Sequence, residues 1–302
     1  MTSPALLLLL LAAGPAGAAE LGTAAAVSAW HIKSSPHFEV LHESAWSPNS
    51  ISLELEKMFS TMRLNLAMFA PWMASEKSRI YIYSSQGSFV GGEFAPPKWS
   101  KGLAYPAKKI VVVYDPGDTV KLKAVLAHEL AHLYFEGYFA EKLKYPPQWL
   151  NEGLAVYLED IVFQEGGPWR QALPYFDAPR RFPLDQFFTA RLDALGADSR
   201  ISDWYLQAFG TVSYLFQPRK RLQFRNLCSL LRKGEPLASA LWKSYRVNGP
   251  GALEGPWMEW LSMYRSGEPQ GFSSGFASAS FDLKTPRFRQ FKFSSPGSAG
   301  PR

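Results

Sequence analysis

The pattern H-E-x-x-H at residues 128–132 constrains this chain more than any other feature of its sequence. It lies within residues 120–139, which predict a helix, and residues four apart on a helix share a face. The imidazoles of His128 and His132 can therefore point at one metal ion. Glu129 then lies beside that ion, where it can take a proton from a metal-bound water. The pattern predicts a hydrolytic metal site.

A second motif, W-x-x-E-G-x-A at residues 149–155, places Glu152 twenty residues beyond His132. A catalytic zinc site keeps three protein ligands and one open position, and His-His-Glu is one of the standard sets. The two motifs resemble those of the gluzincin metallopeptidases, and more narrowly the bacterial peptidase MA-like group. The resemblance covers residues 37–215 and implies that one Zn²⁺ per chain is bound by His128, His132 and Glu152.

Two other ligand arrangements agree less well with the sequence. The H-E-x-x-H-x-x-G-x-x-H arrangement needs glycine at position 135 and histidine at position 138, where this chain has Phe135 and Tyr138. Glu136, four residues after His132, is an alternative third ligand, but it lies a full turn further along the helix. A metal-free interpretation, with packed histidines and a solvated Glu129, conflicts with the apolar flanks of the motif, since burying unpaired polar groups is costly.

The resemblance also implies catalytic roles outside the ligand set. Glu129 is expected to be the general base, and a tyrosine or histidine of the helical region is expected to stabilise the oxyanion. Every histidine other than the motif pair precedes residue 43. Tyr205 is therefore the predicted oxyanion donor, because it resembles the tyrosine that opens a downstream helix in peptidase MA-like proteins. Simple packing within a helix is the alternative for this side chain.

Thermolysin-like gluzincins carry an aspartate four residues after the ligand glutamate, whereas this chain has Val156 at that position. Each ligating imidazole is still expected to have a hydrogen-bond partner on its second nitrogen. Asn151, Glu159, Asp160 and backbone carbonyl groups are all candidates, and the sequence does not choose among them.

Hydrophobic periodicity predicts strands before the motif helix and helices after it. The predicted strands are residues 37–42, 79–83 and 110–114. The predicted helices, besides the motif helix, are residues 50–67, 149–163, 202–216, 221–232, 236–245 and 255–264. We expect an α+β, two-lobed zincin fold over residues 30–264. A mixed β-sheet lobe that carries the active-site helix is expected at residues 30–140, and a helical lobe at residues 141–264.

A long connection rich in glycine and proline, residues 84–109, leads into the last predicted strand. A connection of this length in a compact domain is usually functional. We expect it to wall the substrate cleft, with Phe94 and Trp99 shaping a subsite, although a packed lid without substrate contact is the alternative. An extended peptide is predicted to pair with a sheet edge formed by Gly102, Leu103, Ala104 and Tyr105.

The ends of the chain carry separate predictions. Residues 1–19 combine an apolar run with small residues before Glu20, which is typical of a signal peptide and too short to span a bilayer. No later stretch has the length of a transmembrane helix. Residues 265–302 are basic and rich in Ser, Gly, Pro and Phe, so we expect a disordered tail. It either contacts an anionic envelope surface weakly or only extends into solvent.

Composition indicates the compartment and excludes one class of partner. The single cysteine, Cys228, excludes an intramolecular disulfide and lies in an apolar stretch, so a buried hydrophobic role is expected. Together with the signal peptide, this composition indicates an exported bacterial envelope protein, periplasmic or secreted. The net charge is +6, but no nucleic-acid-binding motif accompanies it.

The sequence therefore predicts an exported zinc metallopeptidase that acts on a peptide or protein. The strand motif with which aminopeptidases recognise a free amino terminus is not apparent, which favours an endopeptidase. One alternative is a catalytically silent binding protein with a zincin fold. Another is a zinc hydrolase that cleaves a cell-wall amide, since a fold and a motif do not identify the substrate.

Overall fold

The computed structural model describes residues 30–44, 50–142, 144–163 and 167–265 of the 302-residue chain. Five strands in these ranges form one mixed sheet: β1 (His31–Ser34), β2 (Phe38–His42), β3 (Ser78–Tyr83), β4 (Gly102–Tyr105) and β5 (Ile110–Tyr114). The strand order is β1-β2-β3-β5-β4, with β1 and β4 antiparallel to their neighbours. The three predicted strands are confirmed as β2, β3 and β5, whereas β1 was not predicted.

The described part of the chain has ten α-helices, most of them after the last strand. They are α1 (Ile51–Leu66), α2 (Gln86–Gly91), α3 (Thr119–Ala140), α4 (Gln148–Ile161), α5 (Pro168–Ala172), α6 (Leu184–Phe187), α7 (Asp198–Leu215), α8 (Arg221–Arg232), α9 (Leu237–Tyr245) and α10 (Pro250–Arg265). All seven predicted helices are confirmed, with ends that differ by five residues at most. The predicted order of strands followed by helices is therefore correct.

The two faces of the sheet pack against different parts of the chain. In β3, Ile80 and Ile82 belong to the main hydrophobic core, whereas Tyr81 and Tyr83 belong to a smaller cluster on the opposite face. This division arises because successive side chains of a strand alternate between faces. Helix α3 contacts β4 and β5, and its apolar side chains join the main core. The motif helix therefore lies on the main-core face, near the β4 edge.

Helix α3 begins after a capping residue, Asp118. The carboxylate of Asp118 accepts hydrogen bonds from the backbone N–H groups of Val120, at 3.0 Å, and Lys121, at 3.2 Å. These bonds satisfy donors that the first helical turn leaves without partners. From Leu126 to Phe135 every residue of the helix is buried. The motif side chains are thus held in the interior of the molecule.

Residues 84–109 are more ordered than the long connection that the sequence predicts. They contain α2, which begins with a reciprocal hydrogen-bonded cap between Ser85 and Ser88. They also contain β4, which joins the sheet as the antiparallel neighbour of β5. Helix α2 was not predicted, because glycine and proline content gives no sign of this short helix. The predicted sheet edge at residues 102–105 is present as β4.

A glycine allows α4 and α7 to approach closely. A Cβ atom built on Gly153 would lie 2.7 Å from the carbonyl oxygen of Ala208 and 2.8 Å from Cγ2 of Val212. Carbon atoms in contact are normally about 3.5–4.0 Å apart, so a larger residue does not fit without displacing α7. The close approach explains why glycine follows Glu152, and it brings α7 within reach of that carboxylate.

We expect Gly153→Ala to lower the free energy of unfolding by about 1–3 kcal/mol, the usual cost of overpacking a core. Gly255 in α10 is the matched control, because nothing lies within 4 Å of a Cβ atom built there. Gly255→Ala should leave stability unchanged or raise it by up to about 1 kcal/mol. Urea unfolding of both variants measures the difference, and equal stabilities would contradict the close approach of the two helices.

Two predicted segments lie outside the described residues. They are the signal peptide, residues 1–19, and the tail beyond Arg265, so both stay predictions. Within the described ranges, none of the helices combines the length and the apolar character that crossing a membrane requires. Cys228 is buried, and burial raises the pKa of its thiol well above the ordinary value. A thiol of this kind is a poor nucleophile at neutral pH.

Candidate metal centre

Two helices bring the three predicted metal ligands together. His128 and His132 lie one turn apart on α3, and Glu152 lies near the start of α4. The Nε2 atom of His128 is 3.7 Å from Oε2 of Glu152, and the Nε2 atom of His132 is 3.9 Å from Oε1. All three residues are at most 5% exposed. Three ligand atoms therefore face one buried point.

The separations of these atoms fit a zinc ion. Nitrogen and oxygen ligands at about 2.0–2.2 Å from tetrahedral zinc lie about 3.3 Å from one another. The observed separations of 3.7 and 3.9 Å are close to that value, and all three ligand atoms lie within 4.8 Å of one another. Two imidazoles with one carboxylate also suit zinc better than Mg²⁺ or Ca²⁺, which prefer oxygen ligands. The residues present are those that a catalytic zinc site requires.

The second nitrogen of each histidine faces a further carboxylate. Nδ1 of His128 lies 3.1 Å from Oε2 of Glu159. Nδ1 of His132 lies 3.5 Å from Oε1 of Glu136. Carboxylates at this position fix the orientation of a ligating imidazole and raise its basicity. Glu159 orients His128 through a hydrogen bond, whereas Glu136 lies within ion-pair distance of His132.

Glu136, the alternative third ligand, occupies a different position from the one that coordination requires. Its carboxylate faces Nδ1 of His132, on the opposite side of the ring from Glu152. Asn151 holds it there by donating a hydrogen bond from Nδ2 at 2.7 Å. This geometry favours a role in orienting His132 over a role as a ligand.

Thermolysin-like gluzincins use an aspartate to orient a ligating histidine, and this chain lacks that aspartate. Glu159 makes the corresponding contact with His128. It lies seven residues after Glu152, so the two carboxylates share one face of α4. The other sequence candidates have different partners: Asn151 bonds to Glu136, and Asp160 pairs with Nε of Arg170 at 3.2 Å. The spacing of seven residues is the sequence signal that could have identified Glu159.

Two glutamates of the site, Glu129 and Glu152, have opposite pKa shifts. Burial raises the pKa of Glu129 above its ordinary value. Burial acts in the same direction on Glu152, but the two histidines and Tyr205 outweigh it and hold the pKa of Glu152 below its ordinary value. Glu152 therefore stays ionised, as a ligand must, whereas Glu129 becomes a better proton acceptor.

The site favours positive charge. Burial by itself lowers the pKa of His128, but the interactions with Glu152 and Glu159 outweigh burial and raise this pKa to about 10. Carboxylates that stabilise a protonated imidazole in this way stabilise any cation at the same point. The negative potential of the carboxylates thus favours binding of a metal ion.

Tyr205 reaches the site from α7. Its hydroxyl donates a hydrogen bond to Oε2 of Glu152 at 3.1 Å, and its side chain is buried. Burial and the neighbouring carboxylate raise the pKa of Tyr205 well above the ordinary value, so the phenol remains a hydrogen-bond donor. The expectation that this tyrosine opens a helix was wrong, since α7 begins two turns earlier, at Asp198. Its role towards an oxyanion stays a prediction.

Strand β4 runs beside the predicted general base. A Cβ atom on Gly102 would lie 2.7 Å from Cγ and 3.0 Å from Oε1 of Glu129, so the Glu129 side chain rests on the backbone of the strand. Gly102 does not have a positive φ angle, so this position requires space and not conformational freedom. The sequence contained no signal for this contact, because it depends on the distance between α3 and the sheet. Ala104 shares the face of Gly102.

The other predicted substrate-binding residues are not seen in contact with Glu129. Leu103 and Tyr105 point to the opposite face of the sheet, because side chains alternate along a strand. The ring of Phe94 packs there against Tyr105 and Tyr81, with ring centroids 5.6 and 4.8 Å apart. The structure therefore does not bring Phe94 to the metal site. Trp99 is half-buried in the turn before β4.

The chain matches the family model of the Peptidase MA superfamily over residues 66–263. This segment makes up about two thirds of the chain and includes α3, α4, α7 and β4. No match is found among curated proteins. The chain therefore belongs to the Peptidase MA superfamily, which indicates that it is a metallopeptidase.

Proposed function

We propose that this protein is a zinc-dependent metallopeptidase of the gluzincin type, with one Zn²⁺ per chain held by His128, His132 and Glu152. The observation that carries the proposal is the convergence of these three side chains on one buried point. Glu129 lies on the same buried stretch of α3. Burying its carboxylate costs stability. A hydrolase needs this carboxylate as a proton acceptor, whereas a catalytically silent binding protein does not need it.

Each residue of the site has a defined task in this proposal. A bound zinc ion lowers the pKa of a coordinated water to about 7. Glu129 accepts the proton of the attacking water and returns it to the leaving amine. Glu159 and Glu136 keep the two imidazoles aligned. Tyr205 exchanges its hydrogen bond with Glu152 for one with the developing oxyanion.

We also propose that an extended segment of a peptide or protein substrate lies along β4. Among the described residues β4 pairs with β5 alone, so its outer edge has backbone N–H and C=O groups available for another strand. Glu129 rests on Gly102 of this strand. A peptide on the outer edge would pass close to both the base and the ligands. The sheet and the helices would then be the two lobes of a zincin, with the substrate between them.

A digest of a peptide library by the full-length protein tests the proposed function. Mass spectrometry should detect internal cleavage products that disappear after treatment with a zinc chelator and return when Zn²⁺ is added. Cleavage that resists chelation would exclude the zinc mechanism, and products trimmed only at the termini would exclude an endopeptidase. Peptidoglycan fragments in a parallel assay test the alternative amide substrate.

Gly102→Ala should lower kcat while zinc content stays unchanged. The new Cβ atom would overlap Cγ of Glu129, at 2.7 Å, so the carboxylate has to move off the strand. Misplacing a catalytic group by about 1 Å can reduce the rate by about 10²-fold. Gly91→Ala is the matched control, since nothing lies within 4 Å of a Cβ atom there. A wild-type kcat for Gly102→Ala, measured at saturating substrate, would contradict the proposed placement of Glu129.

A further inference from the structure

The end of α1 and the start of α8 form a surface that the metal site does not use. Leu222 is 78% exposed and Leu64 is 74% exposed, so both are among the most exposed large apolar side chains of the described residues. Arg221 joins the two helices by donating to the carbonyl oxygen of Leu64, at 2.6 Å, and to Oδ1 of Asn65, at 2.9 Å. Arg221 therefore ties the end of α1, which carries Leu64, to the start of α8, which carries Leu222.

Besides Arg221, three arginines lie within three residues of these leucines in the chain. Arg63, Arg219 and Arg225 are exposed, and none of them forms an ion pair within the part of the chain that the structure describes. Other exposed cations do have carboxylate partners, such as Arg79 with Glu39 at 2.7 Å. The sequence has no acidic residue between positions 203 and 235. Helix α8 therefore presents positive charge without any compensating negative charge of its own.

We propose that Arg63, Leu64, Arg219, Leu222 and Arg225, the basic-leucine surface, bind an anionic lipid bilayer. Anionic headgroups attract arginines near the membrane surface. Exposed leucines gain free energy when they leave water for the region between headgroups and acyl chains. A soluble polyanion would use the arginines but would gain nothing from the leucines. The combination of both residue types is what favours a bilayer.

Co-sedimentation of the full-length protein with lipid vesicles tests this proposal. We expect binding to vesicles of phosphatidylcholine mixed with phosphatidylglycerol, and little binding to phosphatidylcholine alone. Arg219→Glu with Arg225→Glu should weaken the binding at least tenfold, since each arginine near an anionic surface contributes roughly fivefold. Leu64→Ser with Leu222→Ser should also weaken binding, although the charge of the protein is unchanged.

Matched controls separate the surface from general effects of charge and hydrophobicity. Lys108→Glu with Lys142→Glu makes the same change in net charge at exposed positions outside the surface. Leu53→Ser removes a leucine that is 58% exposed at the other end of α1. Both control variants should bind vesicles as the wild type does, and all variants should keep the wild-type melting temperature.

Three results would overturn the proposal. If Leu64→Ser with Leu222→Ser bound vesicles fully, the protein would be attracted to polyanions in general and not to a bilayer in particular. A loss in the lysine control as large as the loss in the arginine variant would reveal a dependence on net charge alone. The third test replaces the basic residues of the tail, Arg287, Arg289 and Lys292, with serine. If that change abolishes binding while both surface variants bind normally, the tail and not the basic-leucine surface contacts the bilayer.

Discussion

Glu129→Gln should retain zinc and lose turnover by about 10²–10⁴-fold, the usual contribution of general acid–base catalysis. The amide keeps the size and polarity of the carboxylate but cannot accept a proton. Glu129 is suited to that role because burial raises its pKa and because its side chain rests on β4 beside the proposed peptide position. Metal analysis and kcat, measured on the same preparation, check both parts of the prediction.

Glu141→Gln is the control for this substitution. Glu141 follows the last residue of α3 and pairs with Arg232, away from the metal site, so its replacement should leave kcat unchanged. Wild-type turnover by zinc-loaded Glu129→Gln would refute the proposed function. If Glu129→Gln is inactive but Gly102→Ala has full activity, the function stands and only the placement of Glu129 on the strand is wrong.

Glu152→Ala should cause the largest loss of zinc affinity of any single substitution outside the two histidines. It removes a ligand whose pKa the site keeps low, and it leaves two buried imidazoles without the carboxylate they face. Replacing a group that only orients a ligand typically costs 10–100-fold in metal affinity, so the loss in Glu152→Ala should exceed about 100-fold. Competition with a zinc chelator of known affinity provides the measurement.

Glu136→Gln is the matched comparison, because Glu136 faces the other nitrogen of His132. Its zinc affinity should fall by no more than about 10–100-fold. The reverse order, with a greater loss in Glu136→Gln than in Glu152→Ala, would make Glu136 the third ligand. Circular dichroism of both variants shows whether the fold is retained.

Local periodicity is sufficient to find the first part of the site. His128, Glu129 and His132 lie together on a buried helix because the apolar residues around them repeat with helical spacing, which needs no tertiary information. The strands β3 and β5 were found from their runs of β-branched and aromatic residues, and β2 was found from its alternating pattern. Glu152 came from the resemblance of the second motif to those of a known family, and its distance of 3.7–3.9 Å from both histidines agrees with that assignment.

Residues 84–109 show where local reasoning failed. Their glycines and prolines predict a long connection, and the sheet edge expected at residues 102–105 is present as β4, but helix α2 was missed. The position of Phe94 also depends on tertiary packing, and its role in a subsite stays a prediction. Which face of a sheet a neighbouring loop covers depends on packing between distant segments, and here Phe94 joins the cluster opposite α3.

The sequence by itself determined which chemical groups the protein has and which of them share a helix. Only the tertiary structure decided which groups from different elements meet: Glu159 with His128, Tyr205 with Glu152, and Gly102 beneath Glu129. These contacts depend on the separation and rotation of packed elements. Those are set by close approaches such as the one between Gly153 and α7, which join residues far apart in the chain and leave no periodic pattern in the sequence.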